Sequence, residues 1–167
     1  RPGVVSTETA QALGAVGMAA RSSGVDIDTR FDFNDKWYTS LDVVKPFKAT
    51  GDVHSRFKLR YKEIKQSMQI VKKLLDKLKE FRNEQILTNP NKTPAPNAFA
   101  ISMTEGWRGE IVHIALTGAN GELLRYKMKD PSFNNWYMLA MAVRNNGVSD
   151  FPLCNKSFNL SYCGNDL

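Results

Sequence analysis

Asp52-Val53-His54-Ser55-Arg56-Phe57-Lys58-Leu59-Arg60-Tyr61-Lys62-Glu63-Ile64-Lys65-Gln66-Ser67-Met68 begins a stretch, running to about Phe81, in which apolar residues keep one spacing. Val53, Phe57, Tyr61, Ile64, Met68, Val71, Leu75 and Leu78 recur at a mean of about 3.6 residues, the α-helical period. A long amphipathic helix follows, about 45 Å at the usual rise per residue, which suits the spine of a larger assembly. The seam is expected to be its buried face, so that Met68→Asp would unfold the domain while Lys65→Glu would matter little. Residues 52–82 carry ten Lys/Arg against four Asp/Glu, an excess of six that equals the net charge of the whole 167-residue chain. Lys58, Lys62, Lys65 and Lys72 fall between seam positions, which reads as a solvated face. The competing reading is an electrostatic surface for nucleic acid or anionic lipid.

Outward from this helix, Ser6 or Thr7 can cap a first helix over about 7–21, with Glu8 favoured by the dipole of its first turn. Ala10, Gly14, Gly17 and Ala20 predict close approach to a neighbour outside the chain. Residues 25–50 read as a long loop anchored by buried Phe31, Phe33, Trp37, Tyr38 and Phe47. Asn89-Pro90-Asn91-Lys92-Thr93-Pro94 excludes helix and reads as a surface linker. Ile111 to Leu116 and Leu123 to Met128 flank Asn120-Gly121 and predict a β-hairpin, joined by 98–104. Asp130, Pro131 and Ser132 open a third helix, closed by Asn145-Asn146-Gly147, with Phe133, Trp136, Ala140, Met141 and Val143 on its broad apolar face. No period is visible in the tail. The fold class is α+β, mainly α: a long amphipathic helix, two or more shorter helices and a small antiparallel hairpin or sheet.

An apolar share of 42% and a charged share of 24% fit an ordinary globular composition and exclude wholesale disorder. Cys154 and Cys163 cannot form a disulfide framework, and no leader pattern opens the chain, so a reducing compartment is expected. No run approaches the ~20 apolar residues of a spanning helix. The chain begins Arg1-Pro2-Gly3 without an initiator Met and reads as a piece of something longer. His54 and His113 are too few for a three-ligand zinc site and are read as structural. A Cys–His nucleophile pair has no flanking motif to support it.

Five ordered blocks carry a resemblance. They are Arg21-Ser22-Ser23-Gly24 followed by Asp28, Arg30 and Asp32; Gly51-Asp52-Val53 with Arg56, Glu63 and Ser67; Glu105-Gly106-Trp107-Arg108-Gly109-Glu110; Arg125-Tyr126-Lys127 leading to Pro131-Ser132-Phe133; and Ser149-Asp150. Together they resemble the large-subunit family shared by group 4 nickel-iron hydrogenases and the 49-kDa subunit of respiratory complex I. Residues 1–167 match the C-terminal portion of that family, whose N-terminal half would precede Arg1. The hydrogenase members end in Asp-Pro-Cys-x-x-Cys, and the resemblance places Ser161 and Gly164 at the two cysteine positions, with Cys163 displaced by one. A hard hydroxyl and a glycine do not replace soft thiolates on nickel and iron. The resemblance therefore implies a lost nickel-iron site and no cofactor in this portion, with an iron-sulfur cluster borne by a partner. Arg108 matches the arginine that projects over the hydrogenase metal site, and Glu110 and Asp150 are its expected ion-pair partners, so these three are the candidate cavity residues. His113 matches a hydrogenase histidine.

What the resemblance implies for function is a subunit of a membrane-bound, energy-converting oxidoreductase complex. It would sit against a small iron-sulfur subunit and the membrane arm, at the cytoplasmic face of the cytoplasmic membrane. Electrons would pass from the partner's cluster toward quinone or another acceptor, within an NADH dehydrogenase-like or formate hydrogenlyase-like system with NAD and quinone binding. The quinone-contacting motifs would lie in the preceding half, leaving this portion inactive and oligomeric in isolation. The alternatives are a nickel-iron hydrogenase with a displaced cysteine set and a basic nucleic-acid-binding module.

Overall fold

The computed structural model describes residues 1–33, 38, 40–41, 43–81 and 93–166. In chain order the elements are α1 (Thr7–Ala12), α2 (Gly17–Ser22), α3 (Thr29–Asp32), α4 (Val53–Leu78), β1 (Phe99–Glu105), β2 (Glu110–Thr117), β3 (Leu123–Lys129), α5 (Ser132–Ala142) and α6 (Phe151–Phe158). This is the expected mainly helical α+β class. Among the described residues, no helix is long and apolar enough to cross a membrane.

Asp52 starts α4 by accepting the Ser55 amide at 2.7 Å, and the helix ends in a 3-10 turn over Lys79–Phe81. Its length is as read from the period, but its buried face is not. Leu59 is fully buried beside Ser55 and Arg56, whereas Phe57, Tyr61, Ile64, Val71, Leu75 and Leu78 are exposed and Met68 is 69% exposed. Only the N-terminal part of α4 meets the core, through α2 and α6, and the rest of its apolar seam extends past them. Met68→Asp should therefore shift the stability of this chain by less than ~1 kcal/mol, while Leu59→Ala should cost about 2–5 kcal/mol. Urea midpoints of the two variants check this, and equal damage would refute the burial assignment. Lys58, Lys62, Lys65 and Lys72 are exposed, as a solvated face requires.

The core joins α1, α2, α5 and α6: Ala10, Ala15, Ala19 and Ala20 pack with Met138, Leu139, Ala142, Cys154, Phe158 and Leu160. The expected helix over 7–21 is two helices. Gly14 adopts a positive φ of 61°, and the backbone freed at the break is taken up by α5. Asn134 Nδ2 donates to Gly14 O at 2.7 Å, the Val16 amide donates to Asn135 Oδ1 at 3.1 Å, and Asn135 Nδ2 donates to Val16 O at 3.2 Å. A buried asparagine thus substitutes for helical hydrogen bonds. The neighbour predicted for the small-residue helix lies within the chain: a Cβ on Gly17 would stand 2.1 Å from Gly109 Cα.

Three other expectations change. Phe33 and Phe47 are exposed, and Phe31 is half-buried, with Arg30 and Lys45 over its ring, so the loop is held by charge rather than by buried rings. Trp37, and Asn89 to Lys92 of the linker, lie outside the described residues. On α5 the buried set is Ser132, Asn135, Met138, Leu139 and Ala142, while Phe133 and Ala140 face solvent, because α1 and α2 meet α5 on its asparagine side. The tail, without period, contains α6, whose eight residues are too few to display one. Pro152 in its first turn and left-handed Asn159 at its end mark its limits.

The hairpin forms as expected and gains β1 in an antiparallel order β1-β2-β3, with Ile101 opposite Ile114 and Ile114 opposite Lys127. Gly121 alone of the Asn120-Gly121 pair has a positive φ, 79°, and a bulge lies at Leu116/Thr117.

Candidate functional site

Three arginines converge on the C-terminal end of α6. The last carbonyls of a helix lack intrahelical partners and carry its partial negative charge. Arg60, from α4, donates through Nη1 to Ser157 O at 2.8 Å and through Nη2 to Phe158 O at 3.2 Å. Arg108 donates through Nε to the carbonyl of Asn159. Arg56 donates through Nε to Ser157 Oγ at 2.8 Å, with Nη1 on Gly51 O and Nη2 on Gly3 O, both at 2.8 Å. The Arg56 guanidinium also lies 4.1 Å above the centroid of Phe158. Burial pulls the Arg56 pKa down to about 10, with Asp52 opposing, so it remains a cation at neutral pH. Burial, and to a smaller extent the Arg108 charge, lowers Arg60 as well, against the pull of Glu63.

Arg108 is positioned by a tight turn between β1 and β2. Gly106 and Gly109 exchange backbone hydrogen bonds, and Gly109 has a φ of 142° and lies against Gly17. Only a residue without Cβ fits that contact from either side. The ion pair expected for Arg108 is replaced by this carbonyl contact. Glu110 meets Lys129 Nζ at 3.4 Å, and Asp150 accepts the Gly147 amide at 3.2 Å, so the three cavity candidates are not brought into one cluster. The reason is that the orphan carbonyl of Asn159 sits within reach of the turn, while Glu110 is claimed by the neighbouring strand.

Beyond Asn159, the loop carrying Ser161, Cys163 and Gly164 is held by side chains from α5. The Ser161 amide donates to Ser132 Oγ at 3.0 Å, and Trp136 Nε1 donates to Ser161 O at 3.2 Å. Ser161 Oγ accepts the Gly164 amide at 3.0 Å and lies 3.3 Å from exposed Cys163 Sγ. A Cβ on Gly164 would stand 2.6 Å from Asp130 Cγ. His113 bonds the Tyr126 hydroxyl across β2 and β3, and His54 is exposed. Among the described residues, no three His, Cys, Asp or Glu side chains gather as metal ligands.

A second cluster was not foreseen from the sequence. Arg21, its side chain 2% exposed, meets Glu63 at 2.6 Å, Glu105 at 2.8 Å and Asp28 at 3.2 Å. Arg30 closes on Asp28 through Nε at 2.9 Å and Nη2 at 2.6 Å. Thr29 donates its amide and hydroxyl to Glu105 Oε2. Burial alone would push Asp28 up and Arg21 down. The hydrogen bonds from Arg30 and the two guanidinium charges hold the Asp28 carboxyl below its usual range, and the three carboxylates raise Arg21. A cavity of about 280 Å³ opens beside the cluster, lined by Arg30, Glu63, Ser67, Glu105 and Trp107. These residues belong to four separated segments, and no spacing rule links them; the one available signal was that each falls within a block carrying the family resemblance.

Comparison with known proteins agrees with this architecture. The profile of the respiratory-chain NADH dehydrogenase 49-kDa subunit matches residues 2–98. The chain is 27% identical over 150 residues to an NADH-quinone oxidoreductase subunit of Syntrophobacter fumaroxidans, covering 89% of this chain and 39% of the relative. It is 31% identical to formate hydrogenlyase subunit 5 of Escherichia coli, covering 98% of this chain and 28% of the relative. With the membrane-bound hydrogenase subunit alpha of Pyrococcus furiosus the identity is 33%, over 88% and 37%. The fold is also that of a chain in the membrane-bound sulfane sulfur reductase, an archaeal respiratory membrane complex, at a TM-score of 0.85 and 22% identity, covering 99% of this chain and 46% of that one. The chain thus spans between 28% and 46% of the length of these proteins. It belongs to the family of the 49-kDa subunit of respiratory-chain NADH dehydrogenase.

Proposed function

We propose that the chain is the C-terminal portion of a large subunit in a membrane-bound, energy-converting oxidoreductase complex. In this reading it passes electrons from an iron-sulfur cluster in a small partner subunit to quinone or another acceptor, without a nickel-iron site. It associates peripherally with the cytoplasmic side of the membrane through the other subunits. The supporting relatives are, by name, NADH-quinone oxidoreductase and membrane-bound hydrogenase subunits.

The observation that carries the loss of nickel is the donor set at the end of α6. The Ser161 hydroxyl is already engaged by the Gly164 amide, and Gly164 supplies no side chain. A cysteine Cβ at that position would press into the Asp130 carboxylate. These residues do not fit a soft-metal site. Arg108, which would lie over such a metal, is turned onto the Asn159 carbonyl and acts as a clamp on the loop.

Elemental analysis of the anaerobically purified complex containing the full-length subunit tests this. The expected result is iron from the partner's clusters, nickel well below one per subunit, and reduction of an added quinone that the deletion strain lacks. About one nickel per subunit, lost in Cys163→Ser, would overturn the reading. The 167-residue chain alone should self-associate through the exposed α4 seam, because that apolar face has no cover within the described residues. Light scattering across a dilution series checks this, and a monodisperse monomer at all concentrations would contradict it.

A further inference from the structure

One face of the sheet is built from three rungs of the same composition. Cross-strand register places Phe99, Leu116 and Arg125 side by side, then Ile101, Ile114 and Lys127, then Met103, Val112 and Lys129. Side chains directly opposite one another share a face, so β1 and β2 supply two apolar columns and β3 a column of three cations. The opposite face, with Ala100, Ser102, Ala115 and His113, has no such division. Phe99 is 64% exposed, Ile101 55% and Leu116 41%. Lys129 is tied to Glu110 at 3.4 Å. Arg125 and Lys127 are exposed, and among the described residues neither has an acidic partner.

We propose that this face docks a partner protein whose surface presents an apolar strip edged by carboxylates. Met103, Val112 and Ile114 are half-buried, so the columns are open mainly at Phe99, Ile101 and Leu116. A sheet face of this kind is stable when another element covers it, and partly exposed apolar columns beside unpaired cations complement apolar residues beside acids. Arg125 and Lys127 alternate along one strand, about 7 Å apart, which matches acidic residues two apart on a strand or four apart on a helix. A membrane surface fits less well. The cations form a single edge column rather than a rim, and β3 leaves its outer backbone groups unpaired, which lipid cannot satisfy. The proposal rests on the functional reading above only in requiring that the subunit be part of a complex.

The test replaces Ile101 by p-benzoylphenylalanine in the full-length subunit, in cells carrying the rest of its complex, with native gels run in parallel. Irradiation should join position 101 to one other polypeptide, at a peptide carrying apolar residues and at least two Asp or Glu at the spacing above. Arg125→Glu with Lys127→Glu should lower the yield about tenfold or more, and Lys substitutions at the partner's acids should restore it. If the charge-reversed subunit also leaves the complex, restored co-migration in the compensated pair supports the proposal, and failure to restore it overturns it. Cross-links to lipid, to a second copy, within the subunit, or to a peptide without acids overturn it, as does a yield indifferent to charge reversal. No product from a subunit that still co-migrates with a large membrane complex overturns the docking surface and leaves the functional reading standing. A subunit that migrates alone overturns both.

Discussion

Arg21→Met should destabilise the folded protein by about 3–5 kcal/mol, the range for removing one partner of a buried ion pair. Arg21 stands between Asp28, Glu63 on α4 and Glu105 on β1, and its side chain is 2% exposed. Methionine fills much of the volume but leaves three carboxylates facing one another with only Arg30 to offset them. Asp28 keeps its three bonds from Arg30, and Glu105 keeps those from Thr29, so the loss falls mainly on Glu63 and on mutual repulsion. Adding Glu63→Gln to Arg21→Met should therefore recover part of the deficit, although two mutations in a neutral background would usually add. Urea denaturation of the full-length protein measures both. A deficit below ~1 kcal/mol, or a double variant worse than the single, would show that the cluster does not depend on Arg21.

The same cluster sets an acid limit. The folded-state pKa of Asp28 lies below its ordinary value. A depressed carboxyl contributes stability that is fully present above its unfolded pKa, near pH 4, and is lost as pH falls through the folded value. The contribution of Asp28 should then be flat from neutral pH to about 4 and decline below it, which a series of melts at decreasing pH would trace.

Arg56→Met should also cost about 3–5 kcal/mol, by a different mechanism. Arg56 is fully buried and touches no carboxylate; its donors go to Ser157 Oγ, Gly51 O and Gly3 O. Two effects oppose each other here. Desolvation of the guanidinium disfavours the charged form and lowers its pKa to about 10. Against it stand three charge-assisted hydrogen bonds, stacking on Phe158 and the negative end of α6, and each carbonyl left without a donor costs about 1–3 kcal/mol. The second set wins because methionine would leave the buried Gly3 carbonyl without its donor, strip Ser157 Oγ of the Nε bond and reduce Gly51 O to the single amide of Val5. Arg56→Lys should rescue little, since one ammonium cannot span acceptors contributed by α6, the α4 cap and the N-terminal segment. Hydrogen exchange at Val5, whose amide bonds Gly51 O at 3.1 Å, should quicken in both variants. A methionine variant as stable as the parent would mean that desolvation dominates and that the arginine is kept for something other than stability.

Periodicity and capping made α4, the hairpin and α5 readable, because a helix or a hairpin is defined by contacts within a few residues. The Asp52 cap and the spacing from Val53 to Leu78 place α4 almost to the residue. α6 was missed because eight residues hold too few apolar positions for a period, though Pro152 and Asn159 marked its ends. Of the candidate site, the family resemblance singled out Arg108, Ser161, Cys163 and Gly164 as positions to inspect, and their contacts came only from the structure.

What the sequence by itself determined is α4, the hairpin and α5, their charge and the family blocks they carry. Tertiary structure alone decided which face of α4 is covered, where the first helix breaks and what Arg108 holds. An apolar stripe states that burial would be favourable, but whether Met68 is buried depends on which surface reaches it, and α2 and α6 reach only as far as the first turns of α4. Gly14 permits a break, and the asparagines of α5, more than a hundred residues away, make it favourable by bonding the freed backbone. Arg108 met Asn159 rather than Glu110 or Asp150 because the orphan carbonyls at a helix end attract cations as surely as a carboxylate does, and the fold brought that end to the β1–β2 turn.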